Sequence, residues 1–430
     1  MMKVVFSSEI NSFGGLNFVH HELESLNIQR SMDSFLPKLA VQSVYSWKDI
    51  LYSLLSIYFC GGDCIEDAKT VLSKRFGFSP FFKLSSPDTI LRRLKELSTQ
   101  DLFCQTPRGT VTHQYNINDK LARLNIQLLK SWGAFDQSTL ILDYDNTIVF
   151  NEKADSRMTY KRANGYQPGV CFLNEDKVLY LENRNGNSDA KAFQSDTLQR
   201  MFDLLEDQGI VEVDKFRADA ASYQFEVVSL LEQKVKHFYI GGRNDYIESY
   251  FNQIDHWEKT LDKGGEEIWI GEVTYQPFHK RYKASQTPPT CRILVKRKRR
   301  KDRQADLFTK KAYDYRAVVT NDFDCSIKDG LNFYYHRGAV ERQFDVLKND
   351  FGWAHLPFSR LSENTVFLYF TGLIKNLYSH VLRRLSLSGR FEKLTPKIRI
   401  KRFVFKFIAI PARWIRKARQ WYLRLYGSYP

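Results

Sequence analysis

STLILDYDNTIVF, residues 138–150, is the stretch on which the reading of the chain turns. Leu140, Leu142 and Tyr144 alternate with Ile141, Asp143 and Asp145, and this period of two predicts a β-strand. Side chains two apart leave a strand on the same face, so the two aspartates share one. A carboxylate among apolar neighbours is costly unless it is paired or bound to a cation. Either aspartate taken alone also fits a solvent-facing strand end.

The segments after this strand extend it into a mixed α/β pattern. YQPGVCFL (166–173) and KVLYLENR (177–184) read as strands, and SDTLQRMFDLLEDQG (195–209) as an amphipathic helix ending at Gly209. VDKFRADAA (213–221) reads as a strand entering a turn, FEVVSLLEQK (225–234) as a helix and HFYIGG (237–242) as a strand. Asp219 stands where a predicted strand ends, the usual place for chemistry in α/β sheets, although a helix cap is the plainer use of a lone Asp. Residues 244–322 are strand-rich, with EIWIGEVTYQPF (267–278), CRILVKR (291–297) and YDYRAVVTN (313–321). Helices return from about 339 to 387, and the first hundred residues also read as helices. One of these, SPDTILRRLKEL (86–97), opens with Ser86 as cap and Pro87 in the first turn. Its Arg92, Arg93 and Lys95 suit either a helix-turn-helix-like DNA reader or a plain helical bundle.

Charge is unevenly placed along the 430 residues, whose formal balance is +15. Residues 389–430 carry 12 Lys and Arg against one acid, Glu392, and 291–316 carry 11 against three. The second block includes KRKRRK (296–301), with Arg297, Arg299 and Arg300 as candidate DNA contacts. Cation clusters of this density attract polyanions and make their binding steeply salt-sensitive. The tail RFVFKFIAIPARWIRKARQWYLRLYG (402–427) reads as a basic amphipathic helix, suited to nucleic acid or to a membrane surface, with nucleic acid the better match. Hydrophobic residues at 43% and charged residues at 26% are an ordinary globular mixture and exclude disorder as the main state. No stretch approaches the roughly 20 apolar residues of a membrane-spanning helix. The short apolar run at the start is too brief for a secretory signal, which points to the cytoplasm. The six Cys complete no zinc-ligand set and read as free thiols.

YYHRGAVERQFDVLKNDFG (334–352) carries the remaining chemistry. Tyr334, Arg337, Glu341 and Lys348 lie at intervals of three, four and seven, which on one continuous helix is an arc of roughly 60°. Val340, Phe344, Leu347 and Phe351 form a separate apolar stripe for docking. An exposed helix with an i, i+4 Arg–Glu pair would look the same. Two strand carboxylates, a strand-end Asp and a helix Glu in one basic chain could hold two hard divalent cations. Such a pair activates a water or 3′-hydroxyl for in-line attack on a phosphodiester.

With these residues in view, the sequence resembles the DDE transposases of bacterial insertion sequences. The likeness is to the IS-1380-type family, related to the wider IS-4-type group with a Tyr-Arg-Glu-Lys signature. LDYDNT (142–147) is similar to the family's first-Asp strand, FRADAAS (216–222) to its second-Asp segment, and Tyr334, Arg337, Glu341 and Lys348 match the signature spacing. Ala220 and Ala221 stand where relatives often have Gly, and Arg342 where they often have Asn. Both Asp143 and Asp145 match the first Asp, and Asp145, followed by a small polar residue and Thr147, fits the commoner form.

The resemblance implies an RNase H-like core, interrupted by a β-rich insertion within the 122 residues between Asp219 and Glu341. It implies two Mg²⁺, with Mn²⁺ as a substitute, on Asp145, Asp219 and Glu341. It assigns DNA contacts to Tyr334, Arg337 and Lys348. The implied activity is cleavage at the terminal inverted repeats and strand transfer into target double-stranded DNA, by a homodimer on paired ends, in the bacterial cytoplasm at the nucleoid. The corresponding division is a helical DNA-end-binding region at 1–135, core at 136–243, insertion at 244–322, core with the Glu helix at 323–388 and a basic helical tail at 389–430. A non-catalytic DNA-binding regulator and a structure-specific nuclease on the same fold are the alternative readings.

Overall fold

The computed structural model describes residues 10–427 except 77–78, 106–109, 244–246, 284–286, 301–312, 388–394 and 396. Its centre is an 11-stranded mixed sheet. The chain enters the sheet through β1 (Leu102–Gln105) and β2 (Thr112–Asn116) and builds its middle from β3 (Ile141–Asn146), β4 (Gly169–Leu173) and β5 (Lys177–Arg184). β6 (Lys215–Ala218) and β7 (His237–Gly241) follow, and then β8 (Glu258–Leu261), β9 (Glu267–Tyr275), β10 (Cys291–Arg299) and β11 (Tyr313–Thr320). The spatial order is β1-β2-β5-β4-β3-β6-β7-β11-β10-β9-β8. β3, β6 and β7 run parallel, β4 runs antiparallel between β3 and β5, and β11 is antiparallel to β7.

The parallel strands need crossovers, and helices Gln194–Asp207 and Phe225–Lys234 supply them. β3 is buried on both faces, with Leu142 and Tyr144, each 1% exposed, on one and Asp143, at 0%, on the other. Helix Leu361–Leu387 is apolar around most of its circumference and is buried along most of its length against β5. Its polar groups are matched to the strand: Tyr369 Oη donates to the Leu181 carbonyl at 2.7 Å, and Asn376 Oδ1 accepts from Val178 N at 2.8 Å.

The expected all-helical N-terminal region and the expected helical tail differ from the structure. The N-terminal region is not wholly helical, because β1 and β2 form a hairpin that pairs with β5 at the sheet edge. The insertion strands β8–β11 do not form a separate sheet, since β11 continues the core sheet from β7. Helix Pro87–Lys95 has the Ser86 cap but buries Pro87, Ile90 and Leu94, while Arg92 and Arg93 pair with Glu96 and Lys95 with Glu363. The helix packs against helices Trp47–Phe59 and Leu361–Leu387, which is the bundle alternative of its two readings.

The basic tail is not one helix. After the short helix Ile400–Phe403 it forms a hairpin of β12 (Ala412–Lys417) and β13 (Gln420–Leu425). Pro411 has no N–H to continue a helix, and Ala418 and Arg419 adopt positive φ of 46° and 66° in the two-residue turn, as a tight hairpin requires. Among the described helices, none is long and apolar enough to cross a membrane.

Candidate active site

The β3–β6 register decides where the first two acids sit. Tyr144 lies opposite Ala218 on the parallel neighbour, so Asp145 and Asp219 follow side by side at the C-terminal ends of adjacent strands. Strands are about 4.8 Å apart, which makes these carboxylates electrostatic neighbours. Burial pushes the Asp145 carboxyl up to about 6, with Arg337 opposing the rise and the Asp219 charge adding to it. Asp219 also caps the turn after β6, its Oδ1 accepting from Ala221 N at 3.0 Å.

Asp143 has a different fate. It lies directly opposite Arg217 in the same register, and both side chains are fully buried. Arg217 Nε and Nη2 donate to its two oxygens at 2.6 and 2.7 Å. Burial raises the Asp143 pKa, and the two Arg217 hydrogen bonds oppose that rise. Both Asp143 oxygens are thus taken by Arg217, whereas Asp145 stands at the strand end beside Asp219. Arg217 also reaches Glu175 Oε1 at 3.0 Å and the Phe333 carbonyl at 2.8 Å, and stacks over the Phe333 ring at 4.6 Å.

Phe333 is where the signature begins. The four signature residues are not on one uninterrupted helix: Tyr334 ends helix Ile327–Tyr335, Arg337 sits in the turn, and Glu341 and Lys348 belong to helix Gly338–Asp350. Gly338, a poor helix former, lies at the break. The expected apolar stripe of Val340, Phe344, Leu347 and Phe351 is buried and docks the second helix, with Phe344 edge-on to Phe172 of β4 at 5.3 Å.

The signature side chains then gather over the strand ends. Arg337 Nη1 donates to Asp145 Oδ2 at 2.8 Å, while its Nη2 lies 3.9 Å from Glu341 Oε1. Lys348 Nζ donates to Thr147 Oγ1 at 2.6 Å, two residues beyond Asp145, and burial lowers its pKa. Tyr334 is raised by burial, with Arg337 opposing and the Asp219 and Asp145 charges reinforcing. A Cβ on Gly241 would lie 2.5 Å from Tyr334 Oη and 2.9 Å from Ala220 N, so only glycine lets the tyrosine approach the Asp219 turn. Tyr334, Arg337, Glu341 and Gly241 line a cleft of about 500 Å³ together with Ala220, Tyr315 and Arg316, whereas Asp145, Asp219 and Lys348 are not part of its lining.

The three acids face one region but are not drawn into a tight cage. Among the described residues, the sets of three possible ligands within 4.8 Å of one another are Asp63, Cys64, Asp67 and His237, Asp322, Asp324. Arg337 stands between Asp145 and Glu341 instead, and the Glu341 side chain is 72% exposed, so no packing fixes its rotamer.

The other proposed DNA contacts do not line this cleft. Arg297 is sandwiched against Trp257 at 3.8 Å and Tyr313 at 4.6 Å, Arg300 pairs with Asp314, and Arg299 is exposed at the end of β10. The cation that the insertion contributes is Arg316. Much of the basic block lies in 301–312, outside the described residues.

Sequence reasoning missed Arg217 and a second buried network on β5. There Glu182 accepts from Arg200 Nε and Nη2 at 2.7 and 2.9 Å, and Arg184 donates to Tyr144 Oη at 3.0 Å and Thr197 Oγ1 at 2.7 Å. The available signal was an Arg, Glu or Asp inside an apolar strand, which demands an opposite partner.

With this geometry in place, comparison with known proteins gives the family. Residues 3–430 match the model of the family described as "Transposase DDE domain group 1". The chain belongs to this DDE transposase family. Transposases of the DDE type use divalent metal ions. No curated protein matches this transposase. Among solved structures it is similar to the piggyBac transposase synaptic complex with hairpin DNA, determined by cryo-EM. The identity is 12%, the match covers 92% of this chain and 79% of that one, and the TM-score is 0.41.

Proposed function

We propose that this transposase cuts double-stranded DNA at the terminal inverted repeats of an IS-1380-type bacterial insertion sequence and joins the freed 3′-hydroxyls to target DNA. The strand order β5-β4-β3-β6-β7, with only β4 reversed, supports an RNase H-like core for this chemistry. The observation that carries the reading is the in-register placement of Asp145 beside Asp219, with Arg337 linking Asp145 to Glu341.

The donor set suits Mg²⁺, two ions in this reading, with Mn²⁺ as a substitute. Asp145, Asp219 and Glu341 are hard oxygen ligands, and the crowding of negative charge at Asp145 favours a cation. Ions held there supply Lewis-acid polarisation of the scissile phosphate and activation of the attacking water or 3′-hydroxyl. The chain's own part is positioning. Arg337 and Lys348 present donors to phosphate oxygens beside the strand ends, and Tyr334, seated against Gly241, supports the DNA at the cut. Two ends joined to one target require two such sites, which makes a homodimer the working form.

A strand-transfer assay with Mg²⁺ and DNA carrying the terminal repeats tests the proposal. Joined products are expected. Cut but unjoined products would assign a nuclease, and retention without cutting a regulator. Glu341→Gln is expected to abolish cleavage while leaving end binding within a few fold. Cleavage by this variant at the wild-type rate would refute the site.

A further inference from the structure

The hairpin β12–β13 contributes nothing to the cleft. We infer that its outer face is a DNA-docking ribbon that grips duplex phosphates, a surface additional to the active site. The inference takes its partner from the transposase reading and adds the place of contact.

Cross-strand partners share a face, so the register sorts the side chains. Ala412, Trp414, Arg416, Trp421, Leu423 and Leu425 fall on one face, and Arg413, Ile415, Lys417, Gln420, Tyr422 and Arg424 on the other. The first face is turned to the protein: Ala412 is 1% exposed, the Trp414 ring meets Phe81 at 5.1 Å, and Trp414 and Leu423 close an apolar cavity with Phe18, Tyr52 and Phe82. The second face is cationic. Arg413, Lys417 and Arg424 lie on it, Arg419 stands in the turn beside it, and no acid falls between Ala412 and Leu425.

The ribbon is also held rigidly. Asn11 and Ala412 exchange two backbone hydrogen bonds of 2.8 Å, and Gly14 N donates to the Ile410 carbonyl at 2.7 Å. A Cβ on Gly14 would lie 2.4 Å from that of Ala412, which shows how closely the two segments meet. A pre-ordered cationic ribbon binds without an ordering cost, and its width suits a DNA groove. An anionic membrane would also attract these cations. Membrane-surface elements, however, bury an apolar face in lipid, and Ala412, Trp414 and Leu423 of this ribbon are turned to the protein.

The test uses the full chain with Lys417→Gln, Arg419→Gln and Arg424→Gln combined. Binding to a mixed-sequence duplex is measured by fluorescence anisotropy over a range of salt, with circular dichroism as the folding control. Three lost phosphate contacts should flatten the plot of log K against log salt by about 2.7 and weaken binding at least tenfold at low salt. An unchanged slope would overturn the ribbon and leave the transposase reading standing, whereas a wild-type chain that binds no duplex would overturn both. Loss of binding to vesicles containing phosphatidylserine, with duplex binding intact, would reassign the face to membrane and also overturn the inference.

Discussion

Replacing Arg217 by Met and Asp143 by Leu, singly and together, separates the stability of the buried pair from its positioning role. Arg217→Met leaves the fully buried Asp143 without its two donors, which costs about 3–5 kcal/mol by analogy with other broken buried pairs. It also strips the Phe333 carbonyl of its 2.8 Å donor, worth roughly another 1–2 kcal/mol. Asp143→Leu leaves a buried guanidinium and costs about the same 3–5 kcal/mol. The double variant removes both buried charges and retains the losses at Phe333 and at the half-exposed Glu175, so its cost should fall to about 1–3 kcal/mol and the coupling should exceed about 3 kcal/mol. Urea unfolding followed by tryptophan fluorescence measures all three. If the double variant is destabilised by the sum of the singles, the pair is not coupled as described. The second readout is single-turnover cleavage: Phe333 precedes Tyr334 and Arg337, and losing its anchor should slow cleavage at least tenfold in the double variant despite its recovered stability. Cleavage at the wild-type rate would show that the pair supports the fold without positioning the signature.

Three further outcomes follow from the geometry. Because the folded pKa of Asp145 is raised from 3.8 to about 6, this group lowers stability as pH climbs between those values. Asp145→Asn in chelator should therefore stabilise the protein by up to about 3 kcal/mol at pH 7 and little near pH 4, as read by urea midpoints. Mg²⁺ should then stabilise the wild type and not the variant. Gly241→Ala drives a methyl against Tyr334 Oη and Ala220 N and should slow cleavage at least tenfold, with end binding by gel shift preserved. Glu182 is buried, which raises its pKa, but the Arg200 hydrogen bonds and charge prevail and leave it lowered. Its contribution is thus present above the ordinary carboxylate range and lost on acidification through the folded pKa. Glu182→Gln should cost about 3 kcal/mol at pH 7 and flatten the acid limb of the stability profile.

Much of the core was legible in the amino-acid order because it rests on local periodicity. The period-two run at 138–150, the strands and helices through 242 and the stripe Val340, Phe344, Leu347 and Phe351 all have the expected form. Segments whose structure depends on distant partners were not legible. The tail mixes Arg, Trp and Leu at a spacing that suits a helix as well as a hairpin, and Pro411 with the Ala418–Arg419 turn decides for the hairpin. In the helix at 86–97 the Glu96 partner of Arg92 and Arg93 is local, whereas the Glu363 partner of Lys95 comes from a distant helix that only the fold brings near.

The sequence by itself determined which acids were available and that Tyr334, Arg337, Glu341 and Lys348 would recur at signature spacing, since both are matters of residue type and interval. The tertiary structure alone decided how the surroundings of Asp143 and Asp145 differ. Two carboxylates on one strand face are equivalent in a sequence, and they differ here because one stands opposite Arg217 in the sheet and the other stands beside Asp219 at its edge. That difference is set by strand register, a long-range pairing that no local pattern of residues encodes.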